Sequence, residues 1–130
     1  MQAQPVGALV EQLARFPGVS GCALVDADTG MVWFHAGQQA MDQVGEAAIE
    51  FWRIEMRLAR HFSAMGRLQS AAYSFANNVV ALFPCAQKPP LVLVCVAGKQ
   101  GMAWPDWGRR VAELQQVLAS GSAAQPPPPG

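Results

Sequence analysis

Apolar positions along this chain change their spacing several times, and each change marks a new element. Val6, Leu9, Val10, Leu13 and Phe16 recur at helical intervals, with Pro5 suited to a first turn and Pro17-Gly18 to a stop. Val19 to Asp26 reads as a strand, Ala27-Asp28-Thr29-Gly30 supplies turn residues, and Met31 to His35 resumes a β-rich run, which together predict a hairpin. From Asp42 to Phe62 there is no proline, and apolar and charged residues alternate at the 3.6-residue period, which predicts a long second helix. Three β-prone stretches follow, Arg67 to Phe75, Val79 to Pro84 and Leu91 to Gly98, separated by Ala76-Asn77-Asn78 and Gln87-Lys88-Pro89-Pro90. Pro105 and Asp106 then open a third helix with Trp107, Val111, Leu114 and Leu118 on one side.

The order helix, two strands, helix, three strands, helix predicts an α+β layered domain over residues 5–118, in which five mostly antiparallel strands form one sheet that the helices cover. Residues 119–130 include a run of four prolines and lack the apolar content to order themselves, so a disordered, proline-rich tail is expected there. At 130 residues there is room for one core and one domain.

Composition narrows the function. Nine basic residues balance nine acidic ones, which removes the long-range positive field that nucleic-acid binding draws on. The longest apolar run, Leu91 to Ala97, is far shorter than the roughly 20 residues of a membrane-spanning helix, so no membrane insertion is expected. The N-terminus has no basic segment leading into an apolar one. Cys22, Cys85 and Cys95 are odd in number, and Cys22 and Cys95 lie within apolar runs, as buried reduced thiols would. A cytoplasmic location is the expectation that follows. With 52% apolar against 14% charged residues, some apolar surface is expected to meet another chain.

The long helix is where that surface concentrates. Glu46, Glu50, Arg53, Arg57 and Arg60 fall within roughly 80° and predict a solvated face, while its apolar residues sweep over roughly 220°, more than one sheet covers. A symmetric dimer through Ile49, Trp52, Glu55, Met56 and Ala59 is the expected solution. Glu55, in the middle of the apolar sweep, needs a partner: either an arginine of the second copy, or water reaching a helix crossing. Trp104 and Trp107 flank Pro105 and either cap the core or present an aromatic anchor; with Arg109 and Arg110 as a polar rim they form a candidate partner-binding patch.

No catalytic residue, cofactor or metal is expected. Gly98-Lys99-Gln100-Gly101 has the end of a phosphate-binding loop, but no glycine opens such a loop, Leu93 and Val94 standing there instead, and Gln100 replaces the hydroxyl residue; Gly101 reads instead as a positive-torsion turn before the last helix. His35, His61 and the cysteines show no zinc spacing. Nucleophilic thiols need electropositive, exposed surroundings, whereas Ala23, Leu24, Val94 and Val96 surround Cys22 and Cys95 with hydrocarbon.

The element order, the opening Leu9 to Gly21, the hairpin Ala23-Leu24-Val25-Asp26 with Asp28-Thr29-Gly30, and Gly101 between the last strand and helix together resemble the Roadblock, or dynein light-chain, family in its bacterial form. The resemblance implies a five-stranded sheet with the long helix on one face and the terminal helices on the other. It also implies two copies joined through the third strand and the long helix into a ten-stranded sheet. Relatives include dynein light chains, endosomal scaffold subunits and bacterial regulators of Ras-like GTPases, so the expected function is a non-catalytic homodimeric adaptor or regulator, with a small Ras-like GTPase as the candidate partner. The alternative is an α+β domain that senses a small molecule between sheet and helix. The tryptophan-rich Ala103 to Trp107 segment and the bulky long helix depart from the family pattern.

Overall fold

The computed structural model describes residues 3–37 and 40–120. Helix α1 (Ala3–Ala14) leads into strands β1 (Val19–Asp26) and β2 (Val32–Gly37); helix α2 (Met41–Leu58) continues as a 3₁₀ segment (Ala59–Met65); strands β3 (Ala71–Ser74), β4 (Asn78–Gln87) and β5 (Pro90–Gly98) precede helix α3 (Trp104–Ser120). The strands form one antiparallel sheet in the order β2-β1-β5-β4-β3. The α+β class and the element order expected from the sequence are those observed.

Side chains of a strand alternate between faces, so β5 splits into two sets. Leu91, Leu93, Cys95 and Ala97 join Cys22 and Leu24 of β1 under α1 and α3, whose Val10, Leu13, Trp107, Val111 and Leu114 complete that layer. Val92, Val94 and Val96 join Ala23 and Val25 under α2, with Ala48, Ile49 and Trp52. The unbroken apolar run of β5 is therefore the mark of a central strand covered on both sides. The turn between β1 and β2 is held by the buried Asp26, whose Oδ1 accepts from the N–H groups of Asp28 (2.9 Å) and Thr29 (3.3 Å).

Helix α2 reaches the sheet at a glycine. A Cβ at Gly45 would stand 2.9 Å from Ala23 Cβ and 3.1 Å from Val25 Cγ2, so the close approach fixes which side of the helix faces β1. Gly108, in α3, has open space at the same place. Gly45→Ala is expected to cost about 1–2 kcal/mol through overpacking, and Gly108→Ala to gain about 0.5–1 kcal/mol from helix propensity. Paired urea melts check the opposite signs.

Several boundaries differ from the sequence expectation, among them the end of β4, which runs to Gln87 instead of Pro84. The α-helix ends at Leu58 instead of Phe62: the N–H of Ala59 bonds to the carbonyl of Met56, Phe62 leaves helical torsions (φ −119°), and no side chain of the 3₁₀ segment is buried to hold an α-helix in place. The third strand begins at Ala71, not Arg67. Its ladder stops at Ala71 opposite Leu82, because further pairing would meet Pro84, which has no N–H, and the bulge at Cys85. The last helix runs to Ser120. The proline-rich tail beyond it lies outside the described residues. Gly101 has the expected positive torsion, φ 82°.

Candidate functional site

The packing of α2 divides its surface into distinct stripes. Met41, Gly45, Ala48, Ile49 and Trp52 are buried against the sheet. Roughly 120° round the axis, Ala47, Phe51, Ile54 and Leu58 form a second stripe at intervals of four, three and four residues, the spacing of a helix-pairing seam. Ile54 and Leu58 are 44% and 45% exposed, far more than large aliphatic side chains usually are.

That stripe borders the sheet edge. Phe51 stacks on Tyr73 of β3 with ring centroids 4.1 Å apart, and the Tyr73 hydroxyl donates to Glu55 Oε1 at 2.8 Å. Strand β3 is the last strand on this side, so its outer edge pairs with no other strand among the described residues. An exposed apolar seam and an open strand edge thus lie side by side.

Two of the five residues expected at a dimer interface are placed elsewhere. Ile49 and Trp52 lie in the chain's own core, 1% and 6% exposed, because the close approach at Gly45 turns that side of the helix onto the sheet. Met56 and Ala59 are exposed and Glu55 is half-buried. Glu55 takes a hydrogen bond from Tyr73 of the same chain, a partner the sequence reading did not name, and as a half-buried group it is still reached by water. The charged stripe is not wholly solvated either: Arg53, ion-paired with Glu50, is half-buried and donates from Nε and Nη2 to the carbonyl of Ala27, tying α2 to the first hairpin. One signal that marks the seam is in the sequence, namely the 4-3-4 spacing of its apolar residues.

Tyr73 is the chain's only tyrosine. Removal from water, then the hydrogen bond to Glu55 and its charge, push the hydroxyl from 10.0 up to about 12. Between those values the unfolded chain loses the proton and the folded chain keeps it, so the unfolded state binds fewer protons and stability falls as pH rises through that window. The wild-type melting temperature is expected to drop more steeply from about pH 10 to 12 than that of Tyr73→Phe. Absorbance titration of the phenolate gives an independent reading of the same shift.

The tryptophan patch divides in two. Trp107 is fully buried, its Nε1 donating to the Leu13 carbonyl at 3.2 Å, so it is a core residue, not a partner anchor. Trp104 stands edge-on to it, centroids 5.8 Å apart, and is only half-covered. Arg109 is exposed and paired with Asp106, while Arg110 is exposed beside Gln12, Arg15 and Phe16.

The cysteines are buried and free, as expected. Cys22 and Cys95 face each other across β1 and β5; the contact with Cys22, then burial, holds the Cys95 thiol far above the ordinary range. Burial pushes Cys85 up to about 12. Such groups stay protonated and unreactive. Among the described residues no three His, Cys, Asp or Glu side chains stand together as metal ligands, and no helix is long and apolar enough to cross a membrane.

A concave feature lies beneath the end of α2. It is an open depression of ≈ 2080 Å³ between the α2 terminus with its 3₁₀ segment, the unpaired half of β4, and one side of α3 from Gly108 to Ala119.

No family model and no curated protein matches the chain. Solved structures do. A Roadblock/LC7 domain from Streptomyces avermitilis shares 17% identity and aligns over 87% of this chain and 93% of its own with a TM-score of 0.73. Myxococcus xanthus MglB shares 14% over 92% and 91%, TM-score 0.78. The gliding protein MglB of Thermus thermophilus shares 16% over 90% of each chain, TM-score 0.72. The fold is that of the Roadblock/LC7 domain.

Proposed function

Taking the Roadblock/LC7 fold as the starting point, we propose that this chain is a homodimeric adaptor or regulator that binds other proteins and uses no catalytic residue of its own. The observation that carries the reading is the seam of exposed Ala47, Ile54 and Leu58 with half-buried Phe51, beside the open edge of β3. Two copies related by a two-fold axis would bury both at once, the helices through side chains and the strands through backbone hydrogen bonds. A solved MglB is described as having a tetrameric arrangement, which supports self-association in a protein of the same fold. A small Ras-like GTPase is the partner class that the family resemblance favours.

The depression does not favour the small-molecule reading. Ligand sites enclose roughly 300–1,000 Å³, whereas this one is larger and open along one side.

Light scattering on a size-exclusion column tests the assembly, with a dimer expected at micromolar concentration. A monomer across that range overturns it. Titration of purified Ras-like GTPases loaded with GDP or a GTP analogue tests the partner class: nucleotide-dependent binding supports it, and no binding in either state removes it.

A further inference from the structure

The depression under the end of α2 combines apolar surface with uncompensated positive charge. Met56, Phe62 and Met65 line it and are 42%, 53% and 83% exposed. Flexible methionine side chains suit a surface that moulds to a protein segment. Arg60, Arg67 and Lys88 line the same depression, and none of them enters the three ion pairs found among the described residues. Its one carboxylate, Glu55, already accepts from Tyr73. The charge balance of the lining is therefore positive in a protein whose net charge is zero.

How an occupant would be held follows from β4. Beyond Leu82 its outer edge has no strand partner among the described residues, yet Pro84 offers no N–H and its carbonyl accepts from Gln115 Nε2 at 2.9 Å. Arg67 crosses the same edge to the side-chain amide of Gln87. The edge is blunted against strand addition, so recognition falls to side chains.

We propose that this depression docks a segment of a partner protein that carries carboxylates next to large apolar side chains, with Arg60, Arg67 and Lys88 meeting the carboxylates and Met56, Phe62 and Met65 the apolar groups. This rests on the protein-binding reading above but not on its dimer surface, since Met56 points roughly 160° away from Leu58 around the helix. Exposed thioether and phenyl surface suits a protein segment better than a nucleic-acid backbone.

The test uses the full chain and fluorescent peptides of one length: alternating Leu and Glu, alternating Leu and Lys, and Glu within a Gly-Ser background. The Leu-Glu peptide is expected to bind at least about tenfold tighter than the other two, and less tightly as salt rises. Arg60→Glu with Arg67→Glu, both exposed and outside the core, should weaken it about tenfold or more, and Phe62→Ser with Met65→Ser likewise. The seam variant Ile54→Glu/Leu58→Glu should still bind it, which separates this site from the dimer surface. Equal binding of the Leu-Lys peptide, indifference to the charge reversal, or equally tight binding of a single-stranded oligonucleotide overturns the proposal. So does a change of oligomeric state in Phe62→Ser/Met65→Ser, which would assign the depression to a second copy.

Discussion

Ile54→Glu combined with Leu58→Glu is expected to turn the proposed dimer into a monomer, weakening association by at least about a hundredfold, or about 2.8 kcal/mol. Each substitution puts a carboxylate where the seam would be buried, and the two-fold doubles its effect. Both side chains are already exposed in the single chain, so the fold should survive. Far-UV circular dichroism and a thermal melt at low concentration provide that control, and light scattering provides the result. If the double variant elutes as the wild type does, the seam is not the contact.

The second large effect concerns the opposite face. Trp107→Ala is expected to destabilise the fold by about 3–5 kcal/mol, since it empties the largest site in the layer under α1 and α3. It also removes the hydrogen bond to Leu13 that ties α3 to the end of α1, and the ring contacts with Phe83 and Trp104. Trp104→Ala should cost much less, because that ring is half in water already. Denaturant melts of the two variants, read by circular dichroism, separate a core indole from a peripheral one; equal losses would mean that Trp104 holds the helix as firmly as Trp107 does.

What could be read from the residues alone depended on how local the determining interaction is. The central strand was plain because continuous apolar character from Leu91 to Ala97 arises only where both faces are covered. The third strand was overextended because its length is set by its neighbour, through Pro84 and the bulge at Cys85, and not by its own β-prone residues. The apolar excess of the long helix was visible, but the part absorbed by the sheet was not, because that depends on rotation about the helix axis. Gly45 stands at the line of closest approach, with Ala48, Ile49 and Trp52 following it at three, four and seven residues, but a helical glycine alone does not announce this, since Gly108 in α3 faces open space. The partner of Glu55 was out of reach, since Tyr73 lies 18 residues away on another element.

The shortness of β3 has a bearing on regulation. Four residues can exchange only a few backbone hydrogen bonds, each contributing about 1 kcal/mol net. A union built on so small a ladder and one seam of side chains is governed by mass action, so the cellular amount of the protein would itself set how much of it is paired and able to act.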